Sequence, residues 1–295
     1  MIASKLIAMR FFFIVSSMLL LSSCDTIDLV PLINKNYSIR ADETLDYEVR
    51  KNEKYGDNEL QNYDLYLPKN QSTKVPVIVL LHGGGWSEGD KGFINPIVDH
   101  FRQKNTKCAI VNMNYRLTFQ QGITYKQQLD DIGMLLKKLH KEANSLNITP
   151  KFFLLGISAG GHLAMLYSYT ADNKNLVEVV GGIASPADLT SDKLRQGRMN
   201  SDIVKLISQP FSEETVREYR SASPYYQMKK SSPATILFYG GSDTIVPPEQ
   251  GEKMKQKLEE MGSKHEYYFY PELYHEWGRL NETVDIMLTF ADKYL

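Results

Sequence analysis

Cysteine is scarce in this chain. Two of 295 residues, Cys24 and Cys108, are too few for a disulfide framework, so the fold must rest on an apolar core. Charge of one sign is also lacking: 34 basic and 35 acidic side chains leave a net charge of −1, and no basic stripe marks a nucleic-acid partner. No G-x-G-x-x-G or Walker pattern is present, and no cluster has metal-ligand spacing, so no cofactor is expected. Long apolar runs are missing too. The one candidate, Phe11 to Leu21, is broken by Ser16 and Ser17 and falls short of the about 20 residues a span requires.

That short run has another reading. Lys5 and Arg10 precede it and Leu21-Ser22-Ser23-Cys24 ends it, the layout of a secretory signal. The ending resembles the lipobox of bacterial lipoproteins, which implies cleavage after residue 23, acylation of Cys24 and a protein anchored to the cell envelope through lipid. An ordinary secretory signal, leaving a soluble periplasmic or secreted protein, is the alternative. Residues 24–42 read as a tether. Cys108 opens the apolar run Cys108-Ala-Ile-Val and reads as a buried free thiol.

From residue 43 to 295 the chain reads as one domain. Apolar residues make up 42% and charged residues 23%, as in an ordinary globule. Short apolar runs alternate with amphipathic stretches, which predicts an α/β fold with a mostly parallel sheet flanked by helices. Strands are expected at Tyr63–Pro68 (an edge strand, stopped by its proline), Val75–Leu81, Ala109–Tyr115, Phe152–Ile157, Val177–Ile183, Ala234–Tyr239 and His265–Tyr270. Helices are expected over 94–103, 125–146, from Gly160 onward, 248–261 and 282–294. The polar segment 189–230 breaks this rhythm and reads as a small helical insertion lying over the sheet.

Gly156-Ile-Ser158-Ala-Gly160 carries the chemistry. It lies between an apolar strand and a helical stretch, where a tight strand–turn–helix reversal lifts a serine hydroxyl above the sheet. Its hydroxyl would sit near a helix N-terminus, which favours developing negative charge. A serine needs a base. Of six histidines, His100 and His140 fall in expected surface helices, His265 starts a strand, His162 points away from the turn, and His82 opens a glycine run. His275 follows the last strand and is the candidate base. Asp243, in Tyr239-Gly-Gly-Ser-Asp243, follows a buried strand and completes the order Ser…Asp…His; Asp188 is the substitute, one strand earlier.

His82-Gly-Gly-Gly-Trp86 follows the strand Val75–Leu81. Consecutive glycines let backbone amides approach a substrate closely and meet an oxyanion. Gly84 and Gly85, with the amide of Ala159, are the candidate donors, and a one-residue shift to Gly83 stays open. His82 reads as structural, fixing the loop. Trp86 packs beneath the loop or lines the acyl pocket.

These stretches, with Asn114-Tyr-Arg-Leu117 and Gly156-Ile-Ser-Ala-Gly-Gly-His-Leu-Ala164, resemble the α/β-hydrolase superfamily. The likeness is to the branch with an HGG-x-W loop: hormone-sensitive-lipase-like esterases, kynurenine-formamidase-like enzymes, and bacterial acetyl-xylan and feruloyl esterases. It covers Asp57 to Leu295. It implies a serine carboxylesterase acting on short acyl esters, small or on glycans, through an acyl-enzyme, with specificity from the 189–230 insertion and Trp86. It also implies a structural ion pair of Arg116 with Asp130 or Asp131. Tyr274 stands where many members carry glycine. Tyr225 and Tyr226 read as packing for the insertion or as stacking surfaces for substrate. An amidase or peptidase of the same fold and an inactive binding lipoprotein are the competing functions.

Overall fold

The computed structural model describes residues 47–69, 71–104, 107–170 and 176–295. The signal segment 1–23, Cys24 and the tether to residue 42 lie outside the described residues.

Eight strands form one sheet: β1 Tyr47–Lys54, β2 Asn62–Pro68, β3 Val75–Leu81, β4 Ala109–Met113, β5 Ile148–Ile157, β6 Val177–Ile183, β7 Ala234–Gly240 and β8 His265–Tyr270. Their order is β1-β2-β4-β3-β5-β6-β7-β8. β2 runs antiparallel to both neighbours, and from β4 to β8 the sheet is parallel. This is the α/β-hydrolase architecture. The helices are α1 Asn95–Gln103, α2 Tyr125–Glu142, α3 Ala159–Thr170, α4 Asp192–Arg195, α5 Asn200–Ile207, α6 Val216–Ser221, α7 Pro224–Gln227, α8 Glu249–Met261 and α9 Leu280–Ala291.

The period-2 pleat of the buried strands sorts side chains onto two faces. Val77, Val79 and Leu81 point to the layer of α2, α3 and α8, with Ile132, Leu135, Leu163 and Met254. Ile78 and Leu80 point to the layer of α1 and α9, with Ile97, Phe101, Met287 and Phe290. Both faces are covered, so β3 is apolar along its length. α2 starts at a capping box in which the Thr124 hydroxyl accepts from Lys126 N, and Gln127 Oε1 accepts from Thr124 N at 2.9 Å. No helix among the described residues is long and apolar enough to cross a membrane.

Two features depart from the expected layout. Tyr63–Pro68 is not an edge strand, because Tyr47–Lys54 pairs outside it and buries it. His100 is buried, not solvated: α9 covers it, and its Nε2 meets Asp285 Oδ1 at 2.9 Å. His140 is exposed, and His265 is half-buried against Ser263 O. Cys108 is a free, half-buried thiol whose pKa burial pushes up to about 12.

The sheet reverses its winding between β3 and β5. From β3 the chain crosses to β4 on one side, then returns to β5 on the other. A crevice therefore opens beyond the C-terminal ends of β3 and β5, where ligands enter open α/β sheets. The glycine run leaves β3 there, and Gly156-Ile-Ser158-Ala-Gly160 leaves β5.

Candidate active site

Ser158 stands at a sharp reversal with φ +53°, a left-handed conformation that a residue with a side chain adopts only when its surroundings enforce it. They do so here. Ser158 N donates to Ile183 O at 2.8 Å, and the next turn begins at once with His162 N donating to Ser158 O at 3.0 Å. A methyl group on Gly156 would run into the backbone of Gly160, and one on Gly160 into the carbonyls of Leu81 and His82. Both flanking glycines are thus required by close approach.

The loops after β7 and β8 bring two more side chains to this serine. His275 Nε2 lies 3.0 Å from Ser158 Oγ. On the other side of the ring, Nδ1 lies 2.8 Å from Asp243 Oδ2. A carboxylate only accepts, so Nδ1 carries the proton and Nε2 is free to accept from the serine hydroxyl. Asp243 is itself held: its Oδ1 accepts from the amides of Ile245 and Val246, each at 2.8 Å. All three residues are buried, at 4–5% exposure, so solvent competes little for these bonds. Asp188 is engaged elsewhere, with Oδ2 2.7 Å from Lys253 Nζ and Oδ1 accepting from Thr190.

The glycine run approaches the serine in a different register from the one expected. Gly83 is the glycine against Ser158: a Cβ on it would lie 3.4 Å from Ser158 Cβ. Gly85 faces away, toward Asp202 of α5, and Gly84 turns against the backbone of Glu88. The Gly84 carbonyl accepts from Ser87 N and Glu88 N, which curls the run into a tight turn. The candidate donors shift by one residue, to Gly83 and Gly84, with Ala159 at the first position of α3. Among the described residues no protein acceptor takes any of these three amides.

A small apolar cavity of about 70 Å³ opens beside Ser158 and His275. Phe93, Ile94, Ile97, Ile157, Trp277 and Leu280 form its walls, with Gly83 and Glu276 at its edge.

Such an arrangement equips the site to activate a serine hydroxyl and to receive an acyl carbonyl. One family model, described as BD-FAE, matches residues 63–258, two thirds of the chain.

This chain belongs to the BD-FAE family.

An isoprenylcysteine alpha-carbonyl methylesterase of Arabidopsis thaliana is 25% identical over 243 residues, covering 76% of this chain and 55% of the relative. The BD-FAE chain spans about half the length of the curated relatives it matches. Solved structures share the fold. A truncated carbohydrate esterase from gut microbiota superposes with a TM-score of 0.71 at 20% identity, over 83% of this chain and 96% of the other. A bifunctional GH43-CE protein of Bacteroides eggerthii gives 0.73 at 22% identity, over 83% of this chain and 38% of the other.

Two further assignments are corrected. Trp86 does not line the cavity; it lies fully buried beneath the loop, its indole Nε1 donating to His162 Nδ1 at 3.1 Å. Because Nδ1 accepts, His162 carries its proton on Nε2 and donates to Ala222 O at 2.7 Å. His162 thus ties the loop to the 189–230 segment, and burial pushes its pKa down to about 4. That segment holds α4 to α7 and contributes no wall to the cavity. Tyr225 and Tyr226 pack edge to face at 5.0 Å, with Tyr225 against the core.

His82 keeps its structural place. Its Nδ1 donates to Gly83 O at 2.7 Å, its ring stacks on Tyr115 at 4.4 Å, and burial lowers its pKa to about 4. Arg116 pairs with Asp131, not Asp130, at 2.6 Å.

The cavity walls were not singled out from the sequence. Their signal was faint: Ile94 and Ile97 share a helical face just past the glycine run, and Trp277 stands two residues after the base.

Proposed function

We propose that this protein is a serine carboxylesterase that removes short acyl groups, acetyl above all, from glycan esters. The observation that carries the proposal is the unbroken chain Asp243–His275–Ser158 at 2.8 and 3.0 Å. Ser158 Oγ attacks the ester carbonyl while His275 Nε2 takes its proton. The resulting oxyanion is met by the amides of Gly83, Gly84 and Ala159, with each such donor contributing about 3 kcal/mol. Asp243 keeps the imidazole in its Nδ1–H form and stabilises the imidazolium. On collapse His275 returns the proton to the departing alcohol, leaving an acyl-enzyme on Ser158. Water, deprotonated by the same nitrogen, then attacks the acyl carbonyl and releases the carboxylic acid and the free serine.

A small apolar cavity beside the serine suits a short acyl group. The fold shared with a carbohydrate esterase and a GH43-CE protein supports a sugar alcohol as the other half of the substrate. The test is hydrolysis of a chromogenic acetate ester and of acetylated xylo-oligosaccharides by the purified protein, beside Ser158→Ala. Ser158-dependent release of acetate from both upholds the reading. Release that survives in Ser158→Ala removes the serine mechanism, and acetate ester turnover without release from any glycan removes the glycan.

We also infer that Cys24 bears a lipid that holds the enzyme to the bacterial envelope, a reading supported by Leu21-Ser-Ser-Cys24 after an apolar segment. Labelled fatty acid should enter the wild-type protein and not Cys24→Ala; equal labelling of the two removes the anchor.

A further inference from the structure

Part of the cavity wall is a 3-10 turn, Lys91–Ile94, which presents Phe93 at 36% exposure and Ile94 at 3%. The turn runs directly into α1 as its N-terminal extension, a common place for 3-10 geometry. Here it is held from behind by a buried polar network. Lys91, 7% exposed, places its ammonium 3.1 Å from Asp64 Oδ1 and 2.6 Å from the side-chain oxygens of both Asn52 and Asn62. Its backbone is clamped as well: Lys91 N donates to Asn114 Oδ1 at 2.6 Å, and Asn112 Nδ2 donates to Lys91 O at 2.7 Å. Asp90 caps the turn, accepting from Gly92 N at 2.7 Å, and is fixed in turn by Asn114 Nδ2 at 2.7 Å. The partners come from β1, β2, β4 and the start of the loop after β4, so the turn is tied to the antiparallel end of the sheet.

A buried lysine with every donor engaged makes sense only if the position of what it carries matters. What it carries, Phe93 and Ile94, lines the cavity together with Leu280 and Trp277. Trp277 is fixed too, since its Nε1 donates to Thr283 Oγ1 at 2.8 Å. Neither part of the wall is built to yield.

The space they line is small. An apolar protein cavity of roughly 150 Å³ is known to take one benzene ring. At about 70 Å³ this cavity is about half the size of one that holds benzene, so it favours a short acyl group over an aromatic one. Its apolar walls suit an acyl chain and not a polar glycan.

We propose that the Lys91–Ile94 turn is an acyl-length gate, in which Phe93, with Ile97 and Leu280 of the same cavity, admits acetyl-sized groups and excludes hydroxycinnamoyl and long-chain acyl groups. Lys91 is its positioning residue. This rests on the reading of Ser158 as an esterase nucleophile.

The test is a kcat/KM profile over 4-nitrophenyl acetate, butyrate and hexanoate, together with methyl ferulate, for wild type, Phe93→Ala and Leu280→Ala. Both replaced side chains are partly exposed, so the variants should fold. Wild type should prefer acetate over hexanoate by at least about tenfold and leave methyl ferulate intact, and each variant should shift the hexanoate-to-acetate ratio upward about tenfold, the usual worth of one or two methylenes in a pocket. Lys91→Met should broaden the profile in the same sense, which a loss of stability alone would not do. Wild-type turnover of methyl ferulate on a par with acetate, or a ratio unmoved in both Phe93→Ala and Leu280→Ala, overturns the gate. A fluorophosphonate label separates the two readings. Labelling of Ser158 with an unmoved profile removes the gate alone; neither labelling nor turnover removes the esterase reading and the gate with it.

Discussion

Replacing Asp243 by Asn would keep the shape of the side chain and reverse its chemistry. The amide offers N–H groups to the His275 nitrogen that now donates, and the favoured tautomer is the wrong one. The expected outcome is a kcat about 10⁴-fold lower with little change in KM, read from steady-state kinetics on an acetate ester. At this scale the sequence was informative because chemistry restricts the choice. Only six histidines exist, and only one follows the last strand. Gly156 and Gly160 announced themselves because no side chain fits there. The register of the glycine run was not legible. Three identical residues in a row carry no mark of which one touches Ser158, and the turn closed by Ser87 and Glu88 decides it.

Arg116 belongs to the loop that joins β4 to α2, and its test belongs to those elements. Its guanidinium meets Asp131 at 2.6 Å, and its backbone amide donates to the same carboxylate at 2.8 Å. Asp131 has no solvent exposure, so Arg116→Ala would leave a buried carboxylate short of its countercharge. Breaking such a pair costs about 3 kcal/mol. Urea unfolding should show that loss, while turnover of the remaining folded protein changes far less. The elements themselves were legible in proportion to their burial. β6 and β8 begin and end where the sequence places them. β1, Tyr-Glu-Val-Arg-Lys-Asn-Glu-Lys, was missed because an edge strand with charged residues along it lacks the apolar run that marks a buried one. β5 starts four residues before its expected start because a register shift opposite Val75–Val77 accommodates Pro150.

Two buried neutral histidines make the whole molecule sensitive to acid. Burial holds the pKa values of His82 and His162 near 4, below the ordinary histidine value of about 6.5. Between those limits the unfolded chain binds protons that the folded chain refuses, so stability is complete above about pH 6.5 and is lost as pH falls toward 4. Each group contributes on the order of 3 kcal/mol to that loss. The denaturation midpoint should therefore drop between pH 6.5 and 4, and His162→Gln should show a shallower drop than wild type. A midpoint equally steep in the variant would remove His162 from the account.

Composition, period and motif by themselves determined that this chain folds as an α/β-hydrolase and which serine, histidine and aspartate meet, because local rules govern where strands end and which residues can turn sharply there. Only the tertiary structure decided which glycine faces Ser158, that Trp86 lies under the loop, and that Phe93, Ile97 and Leu280 shape the cavity. These depend on side chains from β3, α1 and α9 meeting across distances that no local pattern encodes. The same holds for His100, read as solvated until a helix from the far end of the chain is packed over it.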